Sequence, residues 1–150
     1  MSVTWTGLES FKRDLQNLPA ELTGEASNIV IEAAKATERE TKAAYPIGPQ
    51  GSPKSNSGNP PGGLRRGVST TVEAINRGGV SARVKSNAFH AHLFENGTGL
   101  RRNRHGASRG KMPQAPDAQR MIPIAIRARR QMYVKLIDMV QRHGLVVTQS

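Results

Sequence analysis

Cysteine is absent from the 150 residues, which removes disulfides, thiol nucleophiles and Cys-based zinc sites from consideration. Aromatic side chains are scarce, with one Trp, two Tyr and three Phe, and apolar residues make up only 36% of the chain. Many of those are alanines, which bury little area each. A domain of this size buries a core of its own, but a thin one, and the protomer is expected to finish its burial against copies of itself. No run approaches the roughly eighteen apolar residues that span a bilayer, and Met1-Ser2-Val3-Thr4-Trp5 lacks the basic and apolar blocks of a signal peptide. The expectation is a cytosolic product when it is made, with no membrane partner.

Acidic residues are also missing from most of the chain. Residues 1–45 carry five Lys/Arg against seven Asp/Glu, whereas residues 46–150 carry seventeen against four, so the net charge of +11 divides into −2 and +13. Much of the excess lies in two stretches read as irregular, Pro46–Gly63 with Leu64-Arg65-Arg66, and Thr98–Lys111. Basic arms held out from a folded body suit an acidic partner, because opposite charge raises on-rate and affinity in a salt-dependent way. The plain alternative is a solubilising positive surface.

The chain reads as one domain, 1–144, followed by a loose tail, 145–150. Val3-Thr4-Trp5 fits a short strand. Leu8, Phe11, Leu15 and Leu18 recur at helical spacing, with Ser10 or Thr6 as cap and Pro19 as stop, which predicts a helix over 8–18. A stronger helix over 24–44 places Ala26, Ile29, Val30, Ala33, Ala36 and Ala43-Ala44 on one side and most charges on the other, with Glu38–Lys42 a favourable i,i+4 pair. Tyr45-Pro46 ends it. Pro46–Gly63 holds five prolines, five glycines and three serines in eighteen residues and reads as a flexible loop, 46–63. Two β-branched runs around a glycine pair predict an antiparallel hairpin, 68–75 with 80–86, with Val80, Ala82 and Val84 on one face. Asn87 suits the N-cap of a short helix, Ala88–Glu95, that ends at Asn96-Gly97. A second polar loop follows, 98–115. The last helix, 122–143, starts with Pro123 in its first turn and presents Ile122, Ala125, Ile126, Met132, Leu136, Met139 and Val140 on one face.

Chemistry is hard to assemble from these parts. His90-Ala91-His92 with Glu95 invites a metal site or a hydrolase. On a helix, however, two residues of spacing i,i+2 point about 200° apart, and on a strand Glu95 would face away. The H-E-x-x-H spacing of zinc hydrolases is absent, as are G-x-S-x-G, the P-loop and the dinucleotide fingerprint. Beyond Tyr45 the carboxylates are Glu73, Glu95, Asp117 and Asp138, none paired for acid–base work. An enzyme is therefore not expected, nor any cofactor or metal. Arg101, Arg102, Arg104, His105, Arg109 and Lys111 form the best nucleic-acid signal, able to neutralise several phosphates. No aromatic is interleaved for base stacking, and no helix-turn-helix or RRM signature occurs. Non-specific DNA contact and docking on an acidic protein surface both remain open.

The order of motifs resembles a known family. Gly7-Leu8-Glu9 opens the first helix, and an Ala-rich helix ends in Ala44-Tyr45-Pro46. Leu64-Arg65-Arg66-Gly67-Val68 precedes the first hairpin strand. Ala88-Phe89-His90-Ala91-His92-Leu93-Phe94-Glu95-Asn96-Gly97-Thr98 is the most diagnostic stretch, and Met112-Pro113 and Pro123-Ile124-Ala125-Ile126 lead into the final helix. Together they are similar to the phage tail-component family, which acts in tail completion or head–tail joining in long-tailed phages. Two departures are the longer Gly/Pro-rich loop from Ile47 to Gly63 and Met121-Ile122 in place of an aromatic before the late proline.

The resemblance implies an α+β protein whose helices 8–18, 24–44 and 122–143 cover one face of a small antiparallel sheet. It implies a structural, non-catalytic virion protein of the neck, made in the host cytoplasm. Copies would form a ring, hexameric or alternatively dodecameric, meeting the head connector or stopper on one side and tail terminator or tail tube proteins on the other. Phage DNA would pass through. His90, Ala91, Glu95, Gly97 and Thr98 then form a structural motif, with capping or turn-fixing as the first reading of Glu95 and partner contact as the second. Arg65, Arg66, Arg101, Arg102, Arg104, Arg109 and Lys111 are the expected partner or DNA contacts. The rival reading is a non-specific nucleic-acid-binding accessory protein.

Overall fold

The computed structural model describes residues 2–3, 20–47, 62–75, 79–88 and 90–144. Its architecture is α+β. In chain order the elements are β1 (Ser2–Val3), α1 (Ala20–Ala44), α2 (Gly63–Gly67), β2 (Val68–Ile75), β3 (Gly79–Ser86), α3 (Ala91–Asn96), β4 (Thr98–Arg102), β5 (Ser108–Met112), a 3-10 turn (Asp117–Gln119) and α4 (Met121–Arg142). Two sheets result, one of three strands in the order β1-β3-β2 and one of two strands, β4-β5. The predicted helix 8–18, most of loop 46–63 and the tail 145–150 lie outside the described residues.

α1 and α4 run antiparallel and form the larger part of the core. Glu25 meets Arg142 at 2.6 Å, Glu32 meets Lys135 at 3.8 Å, and Ala36 lines a common groove with Ala128. The exposed ion pairs contribute little to stability; what holds the helices is apolar burial. Leu22, Ala26, Val30, Ala33 and Ala34 from α1 join Met121, Met132, Leu136, Met139 and Val140 from α4 in one cluster. Small residues on α1 let the helices approach closely, and long unbranched methionines fill the space that remains. The other side of α1 packs on β2 and β3, so Val68, Ala82 and Val84 enter the same cluster. α4 touches the sheet mainly at β1, and α1 is therefore the element that joins both layers.

The hairpin 68–75/80–86 forms as the alternation requires, in continuous register from Val68↔Ser86 to Ile75↔Gly79. Ala82 and Val84 are buried while Ser81 and Arg83 are exposed. The N-terminal segment adds a short third strand through Ser2↔Lys85 and Val3↔Val84.

Four expectations need correction. Residues 98–115 are not an irregular loop: Thr98–Arg102 and Ser108–Met112 pair as a hairpin. The turn at its tip is closed by Asn103, whose Oδ1 accepts from the amides of His105 (3.0 Å) and Ala107 (2.8 Å). An asparagine that satisfies its own turn substitutes for the apolar alternation by which strands are usually recognised. Gly63–Gly67 forms one helical turn, with Arg66 N donating to Gly62 O at 3.0 Å. The short helix begins at Ala91 rather than Ala88, after His90 and not Asn87, and the Asn87 amide instead ties this segment to Gly67 O at 2.9 Å. On α4 the inward stripe is Met121, Ile124, Ala125, Ala128, Met132, Leu136, Met139 and Val140. Ile122 and Ile126 point outward instead, at 41% and 48% exposure. The true stripe is centred about 50° around the helix from the predicted one at about 100° per residue, set by the position of α1.

Candidate functional site

The stretch Ala88–Thr98 folds into a buried fastening. α3 is only six residues long, too short to persist by itself, and it is held by its inward side chains. Ala91, Phe94 and Glu95 are buried. Phe94 meets Tyr45 edge to face, with ring centroids 5.2 Å apart and an interplanar angle of 75°. Phe94 O accepts from Ala115 N at 3.2 Å, and Glu95 O accepts from Gln114 Nε2 at 3.0 Å.

Glu95 is 1% exposed and binds two distant parts of the chain through one oxygen. Its Oε1 accepts from the Tyr45 hydroxyl at 2.7 Å and from the Met121 amide at 2.6 Å. The second bond serves the start of α4. A helix leaves its first amides without internal partners, and Arg120, at the N-cap position, makes no side-chain cap bond there. A carboxyl group from α3 takes over that task, in a position that the helix dipole also favours. Glu95 Oε2 has no hydrogen-bond partner among the described residues. Tyr45 is fully buried, and burial together with its bond to Glu95 pushes its phenol well above the usual range.

Two further residues complete the fastening. Arg65 donates from Nε to Tyr45 O at 2.5 Å and from a terminal nitrogen to Ala43 O at 3.3 Å. It thus caps the C-terminal end of α1 with a cation, where the dipole favours one. Gly97 has φ 68° and ψ −174°, a region nearly closed to other residues, and it turns the chain directly from α3 into β4. A Cβ at that position would stand 2.7 Å from Gln114 N and 2.9 Å from Met112 O. Thr98 Oγ1 accepts from Met112 N at 3.0 Å and pins the base of the β4–β5 hairpin.

The predicted site residues therefore separate into groups. Glu95, Gly97 and Thr98 fix turns and caps, and Ala91 is buried beside them. His90 and His92 are exposed while Glu95 is interior, so those three side chains do not converge. Among the described residues no group of three His, Asp or Glu is placed to hold a metal ion. Arg65 is half-buried and spends its guanidinium on the carbonyls of Tyr45 and Ala43 that end α1. Arg66 is exposed. Arg101, Arg102, Arg104, Arg109 and Lys111 are all exposed along the β4–β5 ribbon, whose neighbourhood from Asn96 to Pro116 contains no Asp or Glu.

A groove of about 330 Å³ between α1 and α4 has Ala33, Ala36, Ala128 and Met132 in its lining, with Glu32 as its one carboxylate. Sequence reasoning missed Tyr45 and Arg65 as structural residues. Both lay within quoted motifs, Ala44-Tyr45-Pro46 and Leu64-Arg65-Arg66-Gly67-Val68. Gly67 has a comparable reason: a Cβ there would stand 2.6 Å from Ala88 N. No family model, curated protein or solved structure matches the chain.

Proposed function

We propose that the chain is a structural subunit of the neck of a long-tailed phage. Copies form a ring, sixfold or alternatively twelvefold, that completes the tail and joins it to the head connector around a passage for DNA. The reading involves no catalysis. Its partners are other copies, the head connector or stopper, and tail terminator or tail tube proteins, and its place is the virion neck after assembly in the host cytoplasm.

The observation that carries this reading is the use made of Ala88–Thr98, the stretch with the most specific resemblance. Its buried carboxyl group is committed to Tyr45 and to the start of α4, and its histidines lie on the surface. Such a motif stabilises a shape and leaves the work to surfaces. The β4–β5 ribbon supplies one, cationic along its length and carrying Leu100 at 64% exposure. The arm in this reading is a formed hairpin, so association there does not have to bear the full entropy of ordering a loop.

Cryo-electron microscopy of the purified chain tests the proposal. Rings of sixfold or twelvefold symmetry with an open centre are expected, and particles made without the chain should accumulate as separate heads and tails. A chain that never forms rings and whose loss leaves particle yield unchanged would refute it.

The ribbon also favours the second reading, a free nucleic-acid-binding accessory protein. Five cations without a neighbouring carboxylate match a polyphosphate backbone. Tight, salt-steep binding of duplex DNA by a monomer would select that reading over the ring.

A further inference from the structure

The β4–β5 ribbon carries its cations on both faces, and a flat partner can meet only one of them. Arg101 and Arg102 are consecutive in β4, and successive side chains of a strand leave opposite faces. Both are exposed, so each face holds a guanidinium. On β5, Met112 packs against the core cluster, which leaves its neighbour Lys111 facing away from the body. Arg104 lies in the turn at the tip. Among the described residues the two strands pack on each other and on little else, so the ribbon stands clear of the body beyond its base.

Gly99 is a second, independent observation. A Cβ there would meet nothing within 4 Å, and its φ lies outside the left-handed region although the register shifts beside it. Neither packing nor backbone conformation within this chain calls for a glycine at that position. A glycine inside a strand also marks a place where another molecule comes close.

We propose that the ribbon enters the major groove of duplex DNA edge first, so that its two faces meet the phosphates of the two walls. The dimensions agree. A sheet with the side chains of its faces is about 10 Å thick, and the major groove is about 12 Å wide and admits a two-stranded ribbon. The minor groove, about 6 Å wide, leaves no room for long side chains on both faces. Charge selects the same occupant, because no Asp or Glu lies between Asn96 and Pro116 to repel either wall. An acidic protein surface would engage one face and leave the cations of the other in water. Single strands are held by stacking, and the ribbon has no Phe, Tyr or Trp. In an RNA duplex the major groove is too deep and narrow. Phosphate contacts carry no sequence information, which suits DNA that moves past. The inference rests on the DNA contact that the second reading requires and that the passage of the ring permits.

Fluorescence anisotropy of the full chain with a labelled DNA duplex, repeated over a salt series, tests it. Arg101→Ala and Arg102→Ala, each alone, should stay folded by circular dichroism and reduce the magnitude of the salt slope by about 0.9 for each protomer engaged. Gly99→Val adds bulk without charge and should weaken binding with the slope unchanged. A duplex whose cytosines carry a glucosylated hydroxymethyl group at C5, which fills the major groove, should lose most of the affinity. The unmodified duplex with netropsin seated in its minor groove should keep it. An effect of only one of the two arginines, undiminished binding to the filled groove, full affinity in Gly99→Val or equal binding of an RNA duplex would overturn the insertion. Binding of polyglutamate in preference to DNA would overturn it too and assign the ribbon to an acidic protein. Negative-stain images of the same samples keep this contact apart from the ring. Rings that bind no duplex would sink the groove contact and leave the neck reading standing. Groove-dependent binding by monomers would support the contact and select the accessory protein.

Discussion

The Tyr45 hydroxyl donates to Glu95 Oε1 at 2.7 Å across fifty positions of sequence, with both residues out of reach of solvent. The same oxygen accepts from the Met121 amide, so one carboxyl group ties the end of α1, the whole of α3 and the start of α4 together. Removing it strands two buried donors, each costing about 1–3 kcal/mol. Glu95→Ala should therefore destabilise the fold by about 3–5 kcal/mol. Glu95→Gln, which keeps an acceptor, should cost less. Chemical denaturation of both variants checks the order, and equal losses would show that the two bonds are not what matters.

The Tyr45 phenol is raised by burial and by Glu95, so the folded state holds its proton more tightly than the unfolded state does. Its contribution to stability is complete below the ordinary phenol range, about pH 10, and is lost as the pH rises toward the folded value. With two tyrosines in the chain, Tyr133→Phe leaves Tyr45 as the only phenol. Phenolate absorbance in that variant should appear only together with alkaline unfolding. A rise while the fold is intact would contradict the buried hydroxyl.

Gly97 should not tolerate a side chain. At φ 68° and ψ −174° an alanine costs roughly 1–3 kcal/mol in backbone strain, and the backbone contacts at 2.7 and 2.9 Å add to that. Gly97→Ala is expected to lower thermal stability and to loosen the β4–β5 base, seen as faster exchange of the Met112 amide. A neutral outcome would mean that the turn into β4 can be made another way.

Acid should remove two small contributions made by carboxylates of α1, one of them at the junction with α4. Glu25 is held below its ordinary value by hydrogen bonds from Arg142 and His143, and Glu38 by hydrogen bonds from Lys42 and Thr70. Both groups release their proton more readily when folded, so their contribution is present above the ordinary carboxylate range and disappears as the pH falls through the folded values. Melting temperature against pH for Glu25→Gln should fall less steeply below that range than for wild type, and added salt should narrow the difference. Parallel curves would assign acid sensitivity to other carboxylates.

On the ribbon, a nucleic-acid contact has a numerical signature. If each of the five cations neutralises one phosphate, the slope of log affinity against log salt is about −4.5. Substituting Arg101, Arg102 and Arg104 by alanine should reduce its magnitude by about 2.7, with the fold unchanged by circular dichroism because all three are exposed. An unaltered slope would remove the ribbon from any DNA interface.

Periodicity and turn chemistry determine much of this protein at the level of its sequence. The α1 pattern, the Glu38–Lys42 pair, the β2–β3 hairpin and the inward face of Val80, Ala82 and Val84 are local properties, decided by residues within a few positions of each other. Gly97 at a sharp helix exit was legible for the same reason. The quoted motifs drew attention to Glu95 without showing what it binds. What only the tertiary structure decided are relationships across distance. The phase of α4 is set by where α1 lies, so Ile122 and Ile126 face outward although their spacing fits a core stripe. Tyr45 is a hub and Arg65 a helix cap because two chain ends meet there. The 98–112 segment is a ribbon because Asn103 and Thr98 supply bonds that no hydropathy pattern encodes. Sequence patterns record which surfaces avoid water; which partner covers each surface depends on contacts between residues tens of positions apart, and these arise only when the chain has closed on itself.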